Sequence, residues 1–343
     1  MTMYDILEKK KNNLVLTKEE IEFFVNGFVA DKIPDYQASA LLMAICINGL
    51  NEEETLNLTL AMTNSGEKLD LSKIKGVTVD KHSTGGVGDK TTLIVGPIVA
   101  CLGLKVAKMS GRGLGYSGGT ADKLESIPGY ETNITIDRFI NQVNEIGISL
   151  ITQSGNIVPA DKKIYALRDV TATIESIPLI ASSIMSKKLA TGADVIVMDV
   201  KTGSGAFMKD ENSALKLANE MVKIGESANK KIAAIITDMN QPLGNNIGNT
   251  LEIIEVIEVL KGNGSDDLKN LSIELATLMV SLGSNISCDE ARNKVVEVLE
   301  KGLAFEKFKE LVLSQNGDVK YIDDINLFEK ATKKTNEKNI ILR

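Results

Sequence analysis

The only histidine of the 343-residue chain lies in a short segment whose side chains can bind an anion. Residues 79–92 read VDKHSTGGVGDKTT, which places His82 between Lys81 and Ser83 and directly before a run of glycines. Lysine supplies positive charge, hydroxyl groups donate hydrogen bonds, and glycines let backbone N–H groups converge on oxygen atoms. Histidine changes its charge near neutral pH and therefore suits proton donation. The segment indicates an anion site. From the residues alone, His82 is also open to the interpretation that it is a polar turn residue at the end of a strand.

A second glycine-rich segment, residues 110–126, carries hydroxyl groups of the same kind. It reads SGRGLGYSGGTADKLES and contains Ser110 and Thr120, while Thr92 closes the first segment. Thr120 stands where a short helix is predicted to begin, and the first N–H groups and the dipole of a helix favour an anion. Together the two segments predict a phosphate site without a Walker motif. Each loop taken singly is also open to the interpretation that its glycines form tight turns capped by the hydroxyls.

Neither segment fits the common nucleotide-binding motifs. The first breaks the G-x-x-x-x-G-K-[ST] spacing of a P-loop, because Asp89 stands between the glycine and the lysine. The second contains a G-x-G-x-x-G pattern from Gly113 to Gly118, but the helix that should follow is cut short by Pro128. The sequence therefore argues against a nucleoside triphosphatase and against a dinucleotide-dependent dehydrogenase.

A helix predicted to begin near Pro178 presents apolar and polar groups on one face. Ile180, Ser183 and Lys187 follow the i, i+3, i+7 spacing of a helical face. Arg168, in IYALRDV, supplies a second cation upstream of this helix. From the residues alone, a Lys187 that extends into water and an arginine that pairs with a surface carboxylate are equally open interpretations.

Two kinds of secondary structure must position these residues. Residues 17–65 read as helices that begin with a capping box of Thr17 and Glu20, and the helical pattern returns over residues 160–190. Short apolar runs at 104–109, 193–200 and 231–239 read as strands separated by helical stretches. This alternation predicts an α/β fold with a mostly parallel sheet and crossover helices.

The same pattern predicts the domain organisation. We expect a small, discontinuous helical domain and a larger α/β domain that binds phosphate, followed by a short tail. The predicted bounds are 1–70 and 160–190 for the helical domain, 71–159 and 191–335 for the α/β domain, and 336–343 for the tail.

Composition limits the partners of the chain. Hydrophobic residues make up 43% of it, which is enough for a sizeable core. A formal net charge of -7 and an aromatic content of 4% oppose binding to nucleic acid. No uncharged apolar run approaches the roughly 20 residues of a membrane span, and the three cysteines lack the spacing of a disulfide framework or a zinc site. We expect a cytoplasmic protein with neither nucleic-acid nor membrane partners.

The two glycine-rich segments closely resemble those of the thymidine and pyrimidine-nucleoside phosphorylases, the class II nucleoside phosphorylases. KMSGRGLGYSGGTADKLESIPG looks like the long signature of that family, and DKHSTGGVGDKTTL looks like the loop before it. The resemblance extends from the first helix to about residue 335. It implies reversible phosphorolysis of thymidine, uridine or deoxyuridine to the free base and ribose or deoxyribose 1-phosphate. It also implies a homodimer formed through the helical domain, an active site in the cleft between the domains, and no cofactor.

The resemblance assigns roles to the residues at matching positions. The catalytic residues would be His82, Arg168 and Lys187. The residues around phosphate would be Lys81, Ser83, Thr92, Lys108, Met109, Ser110 and Thr120. The residues around the base would be Arg168, Ser183, Lys187, Leu114, Tyr165, Ile180 and Phe207. In this assignment phosphate is the nucleophile, the cations stabilise the negative charge on the leaving base, and the imidazole donates to the oxygen O2 of the base.

Three features depart from the family pattern. Tyr116 and Ser117 stand where most relatives have His-Thr, and the usual C-terminal domain of roughly one hundred residues is expected to be absent. Lys90 stands where many relatives have a small hydroxyl residue beside a monovalent cation. An ammonium group that pairs with Glu255 would replace potassium there, whereas a Lys90 that turns to solvent would leave a potassium site open.

Two other functions stay open at this point. The anthranilate phosphoribosyltransferases resemble this family in fold and lack the extra domain, although no D-E pair suited to magnesium pyrophosphate is evident here. A catalytically impaired homologue could bind nucleoside or phosphate without turnover, but the retention of Lys81, His82, Arg168 and Lys187 argues against it. The sequence does not decide between uridine and thymidine.

Overall fold

The structure, a computed structural model, describes residues 1–113, 118–152 and 156–328. The strands within these residues are β1 (Thr78–Ser83), β2 (Lys105–Ser110), β3 (Ile148–Thr152), β4 (Val195–Thr202) and β5 (Lys231–Asp238). The helices are α1 (Met3–Lys11), α2 (Lys18–Val29), α3 (Asp35–Asn48), α4 (Glu52–Thr63), α5 (Thr91–Cys101), α6 (Thr120–Leu124), α7 (Ile136–Ile146), α8 (Pro159–Val170), α9 (Ile177–Thr191), α10 (Glu211–Ser227), α11 (Asn249–Leu260), α12 (Asp266–Ser284), α13 (Cys288–Glu300), α14 (Leu303–Ser314) and α15 (Lys320–Asp323).

Contacts between residues divide the chain into two compact units. Unit 1 comprises Met1–Ser72, His82–Thr84 and Gln153–Asp238. Unit 2 comprises Lys73–Lys81, Gly85–Thr152 and Met239–Arg343. Unit 1 therefore contains the N-terminal helices, α8 to α10, β4 and β5, while unit 2 contains β2, β3 and the remaining helices. The division passes through β1, between Lys81 and His82.

The helices of unit 1 begin and end where local sequence signals predict. Thr17 caps α2 in a capping box with Glu20, so that the two side chains satisfy each other's backbone N–H groups. α9 begins after Ser176, has Pro178 in its first turn and ends at Gly192. Gly192 has a φ of +84°, a left-handed conformation that glycine adopts without a steric penalty. The helix starts predicted at Thr17 and near Pro178 are confirmed.

Unit 1 also contains a parallel strand pair. β4, VIVMDVKT, is buried along its whole length, as expected for a strand covered on both faces. It runs parallel to β5, with Val195 opposite Lys231. Ile196, Met198 and Val200 point to one face and pack with apolar residues of α9 and α10. This core fixes α9 against the sheet.

Unit 2 contains a helix, α5, that is apolar after its first two residues. Leu93, Ile94 and Ile98 of α5 are completely buried, and α5 packs against α12 and α14. β2 and β3 run parallel, with Val106 opposite Ile148. The second glycine-rich segment thus begins where β2 ends, and the strand predicted at 104–109 is confirmed.

The strands form one five-stranded sheet in the order β3-β2-β1-β4-β5. The pairs β1–β2, β2–β3 and β4–β5 are all parallel, and helices connect them. The structure confirms the predicted α/β fold with a helical N-terminal region and a parallel sheet. Across the parts of the chain that the structure describes, no helix has the length and apolar character needed to cross a membrane.

The side chain of Gln315 occupies the free edge of the sheet at β3. Gln315 follows α14 and is completely buried. Its Nε2 donates to the carbonyl of Leu150 at 2.8 Å and to that of Glu131 at 2.7 Å, while its Oε1 accepts from the Leu150 N–H at 3.1 Å. The side-chain amide thus pairs with the edge strand as a neighbouring strand would.

Replacement of Gln315 by leucine is expected to lower the free energy of unfolding by about 2–3 kcal/mol, because buried backbone groups of β3 would lose their partners. Urea unfolding measures this change. Asn293→Leu on the exposed surface of α13 is the control, expected to stay within about 0.5 kcal/mol of the native protein. Equal effects of the two substitutions would show that the edge contact adds no stability.

Candidate active site

The two lysines predicted to lie around phosphate stand on adjacent strands of unit 2 and are both buried. Lys108 Nζ donates to Asp80 Oδ1 at 2.8 Å and to the carbonyl of Lys81 at 2.5 Å. Lys81 Nζ donates to Thr91 Oγ1 at 2.5 Å and lies 3.5 Å from Asp89 Oδ1. These contacts fix both ammonium groups. Neither Asp80 nor Asp89 was predicted to hold a lysine, although each directly precedes one in the sequence.

The predicted hydroxyl groups stand at strand and helix ends. Thr92 is the second residue of α5 and Thr120 the first of α6, so each is near N–H groups that have no partner within the helix. Ser110 ends β2, while Met109 is buried in the same strand. Thr92, Ser110 and Thr120 are each half-buried. Strand-to-helix turns of this kind can bind an anion.

Asp122 organises the segment that follows β2. Its Oδ2 accepts from the backbone N–H of Gly113 at 2.6 Å and of Gly119 at 2.9 Å. Burial raises the pKa of Asp122, but these hydrogen bonds and Arg112 outweigh burial, so the pKa is lower than its ordinary value. Gly119 cannot be replaced without movement, because a Cβ there would lie 2.6 Å from the carbonyl oxygen of Gly111. The predicted base contact Leu114, together with Tyr116 and Ser117, lies outside the described residues.

Lys90 is completely enclosed within unit 2. It is 1% exposed, and its Nζ donates to the carbonyls of Leu243 at 3.1 Å and Asn246 at 2.8 Å and to Glu255 Oε2. The predicted ion pair with Glu255 is confirmed, and the alternative in which Lys90 turns to solvent is wrong. The reason is that three oxygen acceptors surround the ammonium and match its three N–H donors. The loop at residues 241–246 is thereby joined to the N-terminus of α5.

The segment that carries His82 and Ser83 is attached to β4 within unit 1. The N–H of Thr84 donates to the carbonyl of Asp199 at 3.0 Å, and the N–H of Lys201 donates to Thr84 Oγ1 at 2.9 Å. His82 and Ser83 themselves are half-buried. Two hydrogen bonds therefore fix this segment to β4 at Thr84, two residues after His82.

An ion pair lies beside this attachment. Lys201 Nζ lies 2.7 Å from Asp199 Oδ2, and both side chains are completely buried. Asp199 Oδ1 also accepts from Thr237 Oγ1 of β5 at 2.6 Å. This pair was not predicted. Its only trace in the sequence is two charged residues at alternate positions of an otherwise apolar strand, and these suggest a buried ion pair only once both faces of the strand are known to be buried.

Five of the residues predicted to contact the base lie on α8 and α9 of unit 1, namely Tyr165, Arg168, Ile180, Ser183 and Lys187. Arg168 is 2% exposed and donates to the carbonyls of Thr173, Ile174 and Leu179, at 3.2, 2.7 and 3.1 Å. Burial lowers the pKa of Arg168, and the nearby Asp161 carboxylate opposes that shift. Arg168 is therefore not a surface partner of an acid, which was one of the open interpretations.

Lys187 and Ser183 lie one turn apart on α9. Lys187 Nζ donates to Ser183 Oγ at 3.2 Å and to Asp161 Oδ2 at 2.5 Å. The ammonium is thus fixed by an acid, Asp161, that was not predicted from the sequence.

Among the predicted apolar contacts, Tyr165 and Ile180 are half-buried and Phe207 is 51% exposed.

Comparison with known proteins identifies these two regions. The glycosyl transferase family, helical bundle domain, matches residues 4–66, and the glycosyl transferase family, a/b domain, matches residues 75–305. The chain is 57% identical over 332 residues to the pyrimidine-nucleoside phosphorylase of Geobacillus stearothermophilus, which covers 96% of this chain and 77% of that protein. The pyrimidine-nucleoside phosphorylase of Bacillus subtilis (strain 168) has the same identity and coverage.

A solved structure shares the fold. The crystal structure of anthranilate phosphoribosyltransferase from Thermus thermophilus matches with a TM-score of 0.69 and 17% identity, covering 90% of this chain and 98% of that one. At this identity the likeness concerns the fold alone. The sequence identity to the phosphorylases is much higher and extends over both matched domains. The chain therefore belongs to the glycosyl transferase family with helical-bundle and a/b domains, and within it to the pyrimidine-nucleoside phosphorylases.

Proposed function

We propose that this chain catalyses the reversible phosphorolysis of pyrimidine nucleosides to the free base and ribose or deoxyribose 1-phosphate. The observation that carries the proposal is the 57% identity, over 96% of the chain, to a protein named pyrimidine-nucleoside phosphorylase. The buried lysines of unit 2 and the donors on α8 and α9 agree with it. A phosphoribosyltransferase function has only the shared fold in its support.

Phosphate binding is assigned to the groups of the two glycine-rich segments. The lysine charge, the hydroxyl donors and the N-termini of α5 and α6 supply what a phosphate dianion requires. The assigned residues are Lys81, Ser83, Thr92, Lys108, Met109, Ser110 and Thr120. Lys108 and Met109 act through their backbone groups in this assignment, as the family resemblance implies.

The reaction needs donors on the base and a nucleophile that is already charged. A phosphate oxygen forms a bond to C1′ of the sugar while the C1′–N1 bond breaks, and the electron pair of that bond passes to the base. Arg168 and Lys187 stabilise the negative charge on the base, and His82 donates to its O2 as that oxygen becomes more basic. Phosphate supplies the nucleophile, so the reaction balances without a cofactor.

The domain bounds and the assembly belong to the same proposal. We assign residues 1–70 and 160–190 to a helical domain that dimerises and binds the base, and residues 71–159 and 191–335 to the α/β domain. The match at 4–66 supports the N-terminal part of the helical domain, whereas the a/b match at 75–305 also includes residues 160–190. The contact division groups β4, α10 and β5 with the N-terminal helices. An active site between these domains, a homodimer and a cytoplasmic location stay predictions.

Chromatography of reaction mixtures tests the proposal. The purified protein is incubated with thymidine, uridine or deoxyuridine, with and without phosphate. Release of the free base that requires phosphate supports phosphorolysis, and the relative rates give the nucleoside preference. Release without phosphate would instead indicate a hydrolase. No release, with nucleoside binding retained, would indicate a catalytically impaired homologue.

Replacement of Lys81 by alanine is expected to raise the KM for phosphate roughly 10- to 100-fold, because a charged hydrogen bond to an anion contributes about 1.5–3 kcal/mol. The KM for nucleoside should change less than about twofold. Steady-state kinetics with each substrate varied in turn separate the two constants. Lys73→Ala, at an exposed position, is the matched control, and a rise confined to the nucleoside KM would remove Lys81 from the phosphate site.

A further inference from the structure

Asp161 is a buried carboxylate in unit 1 that lies against one of the proposed base-binding cations. It stands in the first turn of α8 and is 6% exposed. Its Oδ2 accepts from Lys187 Nζ at 2.5 Å, whereas its Oδ1 is buried with no hydrogen-bond partner among the described residues. Burying a carboxylate with incomplete pairing costs stability. A function for the carboxylate would explain why it is placed here.

The geometry at Lys187 indicates what that function is. An ammonium group has three N–H donors, and two of them are engaged, by Asp161 Oδ2 and by Ser183 Oγ. The Lys187 side chain is 25% exposed, so its third N–H can reach a ligand. A free lysine side chain samples many rotamers, and fixing it when a ligand binds has an entropic cost. Two anchors order the side chain before the ligand arrives and remove that cost from binding.

The same carboxylate also acts on Arg168. The guanidinium donates only to backbone carbonyls among the described residues. Burial lowers its pKa, and Asp161 is the leading group that opposes this shift. The Asp161 carboxylate therefore stabilises the positive charge of both cations in the proposed base site. It accepts a hydrogen bond from Lys187 and interacts electrostatically with Arg168.

We propose that Asp161 is a positioning residue for the pyrimidine: it orients the Lys187 ammonium, and Ser183 with it, toward a carbonyl oxygen of the base. The inference rests on the proposed function. Asp161 does not touch the substrate, so its effect passes through Lys187. It should therefore change nucleoside recognition and leave phosphate recognition intact.

A double-mutant cycle tests whether Asp161 acts on nucleoside recognition through Lys187. The constants kcat/KM for nucleoside and KM for phosphate are measured for the native chain, Asp161→Asn, Lys187→Met and the double variant. Asp161→Asn is expected to lower kcat/KM for nucleoside roughly 10- to 100-fold, mainly by raising the nucleoside KM. The phosphate KM should stay within about twofold. In the Lys187→Met background the Asp161→Asn change should add less than about threefold, because the group through which Asp161 acts is gone.

Two further variants keep the test decisive. Asp169→Asn removes an exposed carboxylate from the same helix and should behave as the native chain. Asp161→Glu keeps the charge with one extra methylene and should fall between the native chain and Asp161→Asn. If Asp161→Asn does not fold, Asp161→Glu tests the inference in its place. A raised nucleoside KM with an unchanged phosphate KM would support the positioning role. Native values of both KM would overturn it.

The outcomes separate this inference from the proposed function. An active native chain in which the losses of the two single variants multiply would overturn the positioning role alone, and so would an equal rise in both KM values. A native chain without phosphate-dependent base release would reject the proposed function and the positioning role together.

Discussion

Replacement of His82 by alanine is expected to lower kcat about 10²- to 10⁴-fold, the range that general acid catalysis contributes. His82 is half-buried near the end of β1. Two hydrogen bonds join Thr84 to β4, one from its backbone N–H and one accepted by its Oγ1, and neither involves the imidazole. The variant should therefore fold as the native chain does, with a similar melting temperature. Steady-state kinetics at saturating phosphate and nucleoside measure the change in kcat.

A second substitution distinguishes proton donation from hydrogen bonding. His82→Asn keeps an N–H donor but cannot transfer a proton at neutral pH. A kcat as low as that of the alanine variant would assign proton transfer to His82, whereas recovery to within about tenfold of native would assign hydrogen bonding alone. An unchanged kcat in the alanine variant would remove His82 from the mechanism.

Replacement of Lys90 by threonine is expected to lower the free energy of unfolding by about 3–5 kcal/mol when no small monovalent cation is present, since it removes one member of a buried ion pair. Glu255 and the carbonyls of Leu243 and Asn246 would then face a cavity where the ammonium was. Carboxylate and carbonyl oxygens are ligands for hard cations. Potassium should therefore restore part of the stability and activity of the variant.

The measurement compares potassium chloride with tetramethylammonium chloride at matched ionic strength. Unfolding and phosphorolysis are followed for the native chain, for Lys90→Thr, and for Lys73→Thr as an exposed control. The native chain and the control should be indifferent to the cation, and only Lys90→Thr should respond to potassium. Loss of native activity in tetramethylammonium would show that Lys90 does not substitute for a metal cation.

Local sequence signals account for most of the fold. The capping box of Thr17 and Glu20 and the left-handed Gly192 are each determined by residues within one turn, so the helix ends could be predicted directly. The largely apolar run of β4, Val195–Thr202, likewise indicates a buried strand from neighbouring residues alone. The contact division of the chain could not be predicted in this way, because it depends on which elements pack together.

The sequence could predict which residue types form the candidate site, but not which side chains hold them in place. The amino-acid sequence by itself indicated the glycine-rich segments, the hydroxyls at helix starts and Lys81, because loop and helix chemistry acts over a few residues. Arg168 and Lys187 were assigned to the base only through the family resemblance. The ion pair of Lys90 with Glu255 spans 165 positions and was predicted only through the family resemblance.

Only the tertiary structure decided which group fixes each of these cations. Asp161 lies 26 positions from Lys187, and Asp80 lies 28 positions from Lys108. Gln315 lies 165 positions from the strand residue Leu150 that it binds. Such pairs arise from strand register and helix packing, in which residues distant along the chain become neighbours. No local pattern encodes that proximity, so the sequence determined which groups could do the chemistry, while the packing of strands and helices decided how they are held.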